Sequence, residues 1–244
     1  MLKGLITALR TLTILPVPGK NTPEFSKALY GFVWVGLLLG GILYGGTWLW
    51  KGALGHEGLE VAAFLVLCTA VFLTRGLHLD GLADCADGFW GGHDRVRILE
   101  IMKDSQLGTF GVLSLVLILL GNWVFLVRLL ETGRGVWLIA AFVISRVLMV
   151  DLAVRLPYAR ESGTASAFVR GATWRHWLAN FLPAGLILVF LLEWSGLVVL
   201  CGGLVFSLLL GRFARARIGG VTGDLLGASC VLSETAIILI GSFV

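Results

Sequence analysis

Three carboxylates at helical spacing are the residues of this chain best suited to chemistry. Asp80, Asp84 and Asp87 follow an apolar run inside the segment His78–Gly88. At about 100° per residue, steps of four and three place them on a stripe roughly 60° wide on one helix face. Like charges at this spacing oppose helix formation unless a cation relieves them. Since carboxylate oxygens suit Mg²⁺, Mn²⁺ or Ca²⁺, the stripe predicts a divalent metal site. The structural alternative is that the acids mark where a membrane helix leaves the bilayer.

Two glycine-rich segments carry groups suited to binding phosphate. Ser105–Gly111 opens a predicted helix with glycines where backbone N–H groups have no helical partner, and such helix starts attract anions. Gly219–Ala228 follows three arginines and resembles a second cradle of this kind. The candidate substrate contacts in and beside these segments are Gly108, Thr109, Arg217, Gly220, Thr222 and Gly223.

Further charged residues accompany these segments or fall inside apolar runs. Lys103 and Asp104 precede the first segment, and Asp224 lies within the second. Arg146 and Glu234 fall inside predicted membrane spans, where an unpaired charge costs roughly 2.5 to 3.5 kcal/mol by insertion scales. Lys103 is the favoured contact for phosphate, and Arg146 is the favoured buried cation for binding substrate. Either side chain could instead form an ion pair that serves only the fold.

Composition places these residues in a membrane protein. Of 244 residues, 57% are hydrophobic and 14% charged, which excludes an ordinary soluble enzyme. The predicted fold is an all-α helical bundle of about seven transmembrane helices, with an interfacial helix at the N-terminus and one integral membrane catalytic domain over residues 1–244. The predicted spans are about 29–50, 59–77, 108–130, 135–154, 177–193, 196–212 and 228–243.

The distribution of basic residues predicts an orientation. Of the 19 lysines and arginines, fifteen fall on one side of the predicted spans, three on the other, and Arg146 inside a span. The positive-inside rule makes the richer face cytoplasmic, which predicts a cytoplasmic (inner) membrane protein with its polar clusters on the cytoplasmic face. The net charge of +4 therefore reflects topology, and nucleic-acid binding is not expected.

Several motifs together resemble a known family. The segment His78–Gly88, the run Ile101–Ser105 with Gly108–Gly111, and Gly219–Asp224 with Gly227 and Ala228 are similar to cobalamin synthases, also called adenosylcobinamide-GDP ribazoletransferases. The opening Ala8–Thr13 and Pro16–Pro18 is similar as well, so the resemblance spans nearly the whole chain. Cys85 departs from the pattern, where threonine is expected in many members.

The resemblance implies the late nucleotide-loop assembly step of cobalamin biosynthesis. Adenosylcobinamide-GDP would react with alpha-ribazole or its 5'-phosphate, with Mg²⁺ as cofactor, to give adenosylcobalamin or its 5'-phosphate and GMP. Asp80, Asp84 and Asp87 would hold the metal. Asp104 or Asp224 would act as general base or complete a second metal site, and Lys103 would contact phosphate. The partners are these two substrates and the lipid bilayer, with a homo-oligomer left open.

Two other function classes also use acids in membrane helices. A CDP-alcohol phosphotransferase places Ala-Arg after Asp-Gly, whereas here Ala83 is followed by Asp84. A cation-coupled transporter places its acids near the midplane between repeats, whereas the polar groups here gather at one predicted face. His78, Asp151 and the loop 156–175 receive no role from the sequence.

Overall fold

The structure is a computed structural model that describes residues 2–244, and within them it contains helices and no β-strand. The helices are α1 Leu2–Leu12, a 3-10 helix Phe25–Gly31, α2 Phe32–Leu54, α3 Leu59–Thr74, α4 Leu77–Gly91, α5 Arg95–Ile101, α6 Thr109–Glu131, α7 Trp137–Arg155, α8 Ser166–Val169, α9 Trp174–Ile218 and α10 Gly223–Phe243. The predicted all-α fold is confirmed.

The number of spans agrees with the predicted seven once α9 is divided. Within residues 2–244, five segments are long and apolar enough to cross a membrane, and the bent pair α3 and α4 makes a sixth. Helix α9 has 45 residues, about 68 Å if straight, which is twice a bilayer core of about 30 Å. It breaks at Glu193, where φ is 52°, and Gly196 then packs against the backbone of Leu188. The chain therefore reverses here and α9 forms two spans.

Asp151 ties α7 to both arms of α9. Its carboxylate accepts hydrogen bonds from Trp177 Nε1 at 2.9 Å in the first arm and from Ser207 Oγ at 2.6 Å in the second. It also pairs with Arg155 one turn along α7. A buried carboxylate with this many donors is satisfied within the bundle, so Asp151 serves packing between helices.

Helix α7 is the centre of the bundle, since all its residues from Trp137 to Ala153 are buried. Helix α2 packs directly on its backbone through two glycines. A Cβ placed on Gly40 would lie 2.7 Å from the Ile139 Cα, and one on Gly36 would overlap the Phe142 carbonyl. Small residues permit this close approach of membrane helices, as the glycine-rich composition indicates.

The predicted span 59–77 ends earlier than expected. Helix α3 stops at Thr74, and Arg75 and Gly76 both take left-handed backbone conformations, with φ of 56° and 65°. Helix α4 then runs at 88° to α3. The aspartate stripe therefore lies on a separate helix that crosses one end of the bundle.

Adjacent glycines in α2 test the packing against α7. We expect Gly40→Ala to lower the free energy of unfolding by about 1 to 3 kcal/mol, because the new methyl group would force α2 and α7 apart. Gly41→Ala is the matched control, since a Cβ there meets nothing within 4 Å. Thermal unfolding in detergent measures both, and equal melting temperatures for the two variants would contradict the packing.

Candidate active site

Helix α4 lies across the start of α10 with no space between the two backbones. A Cβ on Gly81 would stand 2.6 Å from the Asp224 carbonyl oxygen and 3.0 Å from its Cα. The Thr222 hydroxyl accepts the Leu225 N–H at 3.1 Å and so fixes the first turn of α10. This contact brings Asp224, from the late glycine-rich segment, beside the acids of α4.

A polar cleft of about 880 Å³ opens along one side of α4. Its acidic and basic lining includes Asp80 and Asp84 of the stripe and Lys103 and Asp104 of the α5–α6 connection. Asp104 holds this connection in place by accepting the Gln106 N–H at 3.0 Å. The structure thus brings together four of the residues that the sequence predicts for the site.

An apolar cavity of about 460 Å³ lies on the other side of Asp80, inside the bundle. Asp224 and Gly223 line it together with side chains of α1, the 3-10 helix, α4, α7 and the α7–α9 loop. Arg75, Leu77 and Asp80 line both the polar cleft and the apolar cavity. One carboxylate, that of Asp80, therefore faces two separate binding volumes.

Asp87, the third residue of the stripe, bonds to the start of α6. It is 8% exposed, and its two oxygens accept the N–H groups of Gly108 at 2.7 Å and Gly111 at 2.9 Å. The premise that these N–H groups are free for phosphate is therefore wrong, because a carboxylate already occupies them. Substrate contacts by Gly108 and Thr109 stay a prediction, as does metal ligation by Asp87.

The late glycine-rich segment is folded by backbone pairing. Val221 donates its N–H to the Pro157 carbonyl at 2.8 Å and accepts the Ala159 N–H at 2.9 Å. Gly220 and Thr222 are buried in this pairing and in the α10 cap. The Arg217 guanidinium donates hydrogen bonds to the carbonyl oxygens of Phe89 and Gly92, each at 3.3 Å, at the C-terminal end of α4.

The predicted substrate contacts in and beside this segment have neighbours within the protein. Gly220, Thr222 and Arg217 hold α4, α10 and the α7–α9 loop together, and each is engaged with protein atoms. Gly223 alone of the four predicted contacts in this segment lines the apolar cavity. A direct substrate contact by the other three stays a prediction that the geometry does not favour.

The α7–α9 loop contributes a residue to which the sequence gives no role. Arg160 pairs with Asp224 at 2.6 Å, and both side chains are largely buried. Arg95 anchors the loop by donating to the Ala159 carbonyl at 3.2 Å. Burial raises the pKa of the neighbouring Tyr158 hydroxyl, so this group stays protonated at neutral pH. The length and basic character of the loop were its only signals in the sequence.

Arg146 and Glu234 satisfy one another within the bundle. Arg146 is fully buried, pairs with Glu234 of α10, donates to Ser145 Oγ at 2.8 Å and stacks on the Phe142 ring at 4.8 Å. The expectation that Glu234 has a partner is confirmed. Arg146 lines neither the polar cleft nor the apolar cavity, so its predicted contact with substrate has no support in this geometry.

The donor chemistry around Asp84 fits a hard divalent cation. Asp84 lies near three other acids, Asp224, Asp80 and Asp87, and the guanidinium of Arg160 partly offsets their charge. Among residues 2–244, no group of three or more His, Cys, Asp or Glu side chains is arranged to hold a metal ion by itself. Mg²⁺ is commonly held by one or two carboxylates together with waters and substrate phosphates, so an open pair such as Asp80 and Asp84 suits it.

Comparisons with known proteins cover nearly the whole chain. A family model described as cobalamin-5-phosphate synthase matches residues 4–242. The protein named adenosylcobinamide-GDP ribazoletransferase from Chlorobaculum parvum is 45% identical to this chain, over 97% of the chain and 94% of the relative. The protein of the same name from Chlorobaculum tepidum is also 45% identical, over 99% of the chain and 96% of the relative. The protein of that name from Pseudomonas syringae is 39% identical over 95% and 96%. No solved structure matches the chain.

Two substitutions in the aspartate stripe distinguish Asp87, which caps α6, from Asp84, which faces the polar cleft. We expect Asp87→Asn to lower the free energy of unfolding by about 1 to 2 kcal/mol, because an amide accepts through one oxygen and leaves one N–H of α6 unpaired. Asp84→Asn, which keeps every hydrogen bond of the fold, should leave the melting temperature in detergent unchanged or raise it, because it removes one of several neighbouring negative charges. Equal stability losses in both variants would mean that Asp87 is not the cap of α6.

Proposed function

The chain belongs to the cobalamin-5-phosphate synthase family, and we propose that it joins the cobinamide phosphate of adenosylcobinamide-GDP to a ribazole, releasing GMP. It is a membrane-embedded transferase of cobalamin biosynthesis. The observation that carries the proposal is the position of Asp80, whose carboxylate faces the polar cleft on one side and the apolar cavity on the other.

The polar cleft is the site we assign to the donor. Adenosylcobinamide-GDP carries a large corrinoid and a charged pyrophosphate, and the cleft is the larger and more open of the two volumes. Lys103 is exposed at its wall and can bond to a phosphate oxygen of the departing GMP. Asp80 and Asp84 face the same space.

The acceptor hydroxyl would then approach from the side of Asp224. The ribose oxygen attacks the phosphorus attached to cobinamide, a new P–O bond forms, and the bond to the bridging oxygen of the pyrophosphate breaks. That oxygen leaves on GMP, and the hydroxyl proton passes to a carboxylate. We assign this proton to Asp224, which lines the apolar cavity, and we assign Asp104, which lines only the donor side, to positioning.

Magnesium is the proposed cofactor, held by Asp80 and Asp84 together with water and substrate phosphate oxygens. When bound there it neutralises charge on the pyrophosphate and on the departing phosphate. The three carboxylates near Asp84, which the Arg160 guanidinium offsets only in part, support a divalent cation at this place. Arg160 holds Asp224 at the edge of the site through their ion pair.

The active face is proposed to be cytoplasmic in the inner membrane. The polar cleft is built from α4, the α5–α6 connection and the end of α3, and these segments belong to the face predicted to carry fifteen of the 19 basic residues. The positive-inside rule supports this orientation. Both substrates would then enter from the cytoplasm.

Turnover by the purified protein tests the reaction. Given adenosylcobinamide-GDP and alpha-ribazole in liposomes, we expect cobalamin and GMP in equal amounts, with Mg²⁺ required, as measured by chromatography. Asp84→Asn should lose at least about 100-fold in turnover. Asp94→Asn is the matched control: Asp94 caps α5 by accepting the Arg97 N–H at 2.9 Å, and asparagine caps equally well. Product without added metal, or full activity in Asp84→Asn, would contradict the metal assignment.

A second pair of variants tests the general base. We expect Asp224→Asn to lower kcat about 100-fold or more, and Asp104→Asn to lower it much less, because the acceptor hydroxyl faces Asp224. Arg160→Gln removes the ion pair but keeps the carboxylate, so it controls for loss of that contact. A deeper loss in Asp104→Asn than in Asp224→Asn would reverse the two roles.

A further inference from the structure

A groove of about 380 Å³ lies beside the polar cleft, between the end of α4, helix α5 and the start of α6. Asp104 and Gln106 of the α5–α6 connection line both the groove and the cleft, so the two volumes adjoin at these residues. The volume of the groove falls within the range of roughly 300 to 1,000 Å³ typical of small-molecule sites. It therefore offers a further binding volume next to the one that we assign to the donor.

Two side chains of opposite charge lie next to one another in this groove. Arg97 and Glu100 are one turn apart on α5, both line the groove, and Nη1 of Arg97 lies 3.2 Å from Oε2 of Glu100. Their side chains are 63% and 59% exposed, so both charged groups are open to a ligand. An exposed ion pair of this kind contributes little to the stability of a fold. The pair presents guanidinium donors directly beside carboxylate acceptors.

We infer that this groove binds the guanine base of the donor and that the ion pair of Arg97 and Glu100 selects it. The inference rests on the proposed function. One edge of guanine carries the acceptor O6, followed by two donors, N1–H and the 2-amino group. The ion pair offers the complementary order, because a guanidinium donates to O6 and a carboxylate accepts from N1–H and the 2-amino group. Adenine has a donor in place of O6 and an acceptor in place of N1–H, so the same pair disfavours it.

An aromatic ring in the groove suits a planar base. Phe110 lines the groove from the first turn of α6 and is 43% exposed. Its ring stacks on that of Trp90, with the ring centroids 6.3 Å apart. Every nucleotide base has a face that can stack on such a ring. Phe110 would therefore contribute affinity for the base, and the ion pair would contribute the selectivity for guanine.

The position of the groove agrees with the proposed arrangement of the donor. Lys103, which we assign to a phosphate oxygen of the departing GMP, lines the cleft and precedes Asp104 at the boundary with the groove. A nucleotide whose phosphates lie in the cleft near Asp80 and Asp84 would extend its base across the α5–α6 connection. The groove thus receives the part of the donor that leaves as GMP.

Binding of the free product tests the groove without turnover. For the protein in detergent, we expect isothermal titration calorimetry to show GMP binding at least about tenfold more tightly than AMP, and Glu100→Gln to remove this preference by weakening GMP alone. Glu24→Gln is the matched control, since Glu24 forms a similarly exposed ion pair with Lys27 at 3.0 Å and lies outside the groove. It should keep the wild-type preference. Equal affinities of the two nucleotides for wild type, or an unchanged preference in Glu100→Gln, would overturn the inference.

A double-mutant cycle between protein and substrate tests the same contact during turnover. The donor is changed from adenosylcobinamide-GDP to its inosine analogue, which lacks the 2-amino group, and the protein from wild type to Glu100→Gln. We expect wild type to lose about tenfold in kcat/KM for the analogue, and Glu100→Gln to lose about tenfold for the guanosine donor with little further loss for the analogue. The KM for alpha-ribazole should stay unchanged. Equal losses for both donors in Glu100→Gln would mean a structural role.

Phe110→Leu gives a test that does not depend on the ion pair. Leucine keeps an apolar contact with Trp90 but removes the aromatic ring. We expect the KM for adenosylcobinamide-GDP and for its inosine analogue to rise by about fivefold or more, because both bases lose the same stacking contact. The KM for alpha-ribazole should stay unchanged. An unchanged KM for both donors would mean that the base does not lie in the groove.

The outcomes separate this inference from the proposed function. If wild type makes no cobalamin from adenosylcobinamide-GDP and alpha-ribazole, the proposed function fails and the inference fails with it. If wild type is active and Glu100→Gln still discriminates between GMP and AMP as wild type does, the function stands and the assignment of the groove is overturned.

Discussion

The close contact between α4 and α10 is the constraint on which the site depends. A side chain on Gly81 would meet the Asp224 carbonyl at 2.6 Å, so the two helices can adopt this distance only with glycine there. The contact places Asp224 beside acids that are more than 130 positions earlier in the sequence. It also seats α4 across the end of the bundle, with one side facing the polar cleft and the other facing the apolar cavity. Both binding volumes therefore depend on the same backbone contact.

Gathering acids at this contact has an electrostatic cost that the fold offsets in different ways. Asp87 is neutralised in part by two N–H groups at the start of α6, where the helix dipole favours negative charge. Asp224 is paired with Arg160. Among the described residues, the Asp80 and Asp84 carboxylates form no ion pair, and both face the open cleft. The two acids of the stripe that lack a direct protein partner are thus the ones exposed to a ligand.

The sequence predicts the features that depend on local pattern. Hydropathy places the spans to within a few residues, and helical spacing puts Asp80 and Asp84 on one face of α4. The break at Arg75 and Gly76 was not predicted, because neither the arginine nor a single glycine after an apolar run specifies a left-handed turn. The roles of Asp87, Arg217 and Arg160 could not be predicted either. Each depends on a contact between segments far apart in the chain, which spacing alone does not encode.

The position of Asp80 between two cavities also bears on how the group is transferred. Substrates bound in the two volumes would both adjoin the Asp80 carboxylate, which suits transfer without a carrier group on the protein. The buried thiols of Cys85 and Cys230 line neither cavity, and among the described residues Ser105 is the one serine at the polar cleft. It is exposed in the α5–α6 connection beside Asp104. The arrangement therefore favours direct transfer of the cobinamide phosphate from donor to acceptor, without a covalent intermediate on the protein. The proton would leave on one side of Asp80 and GMP on the other.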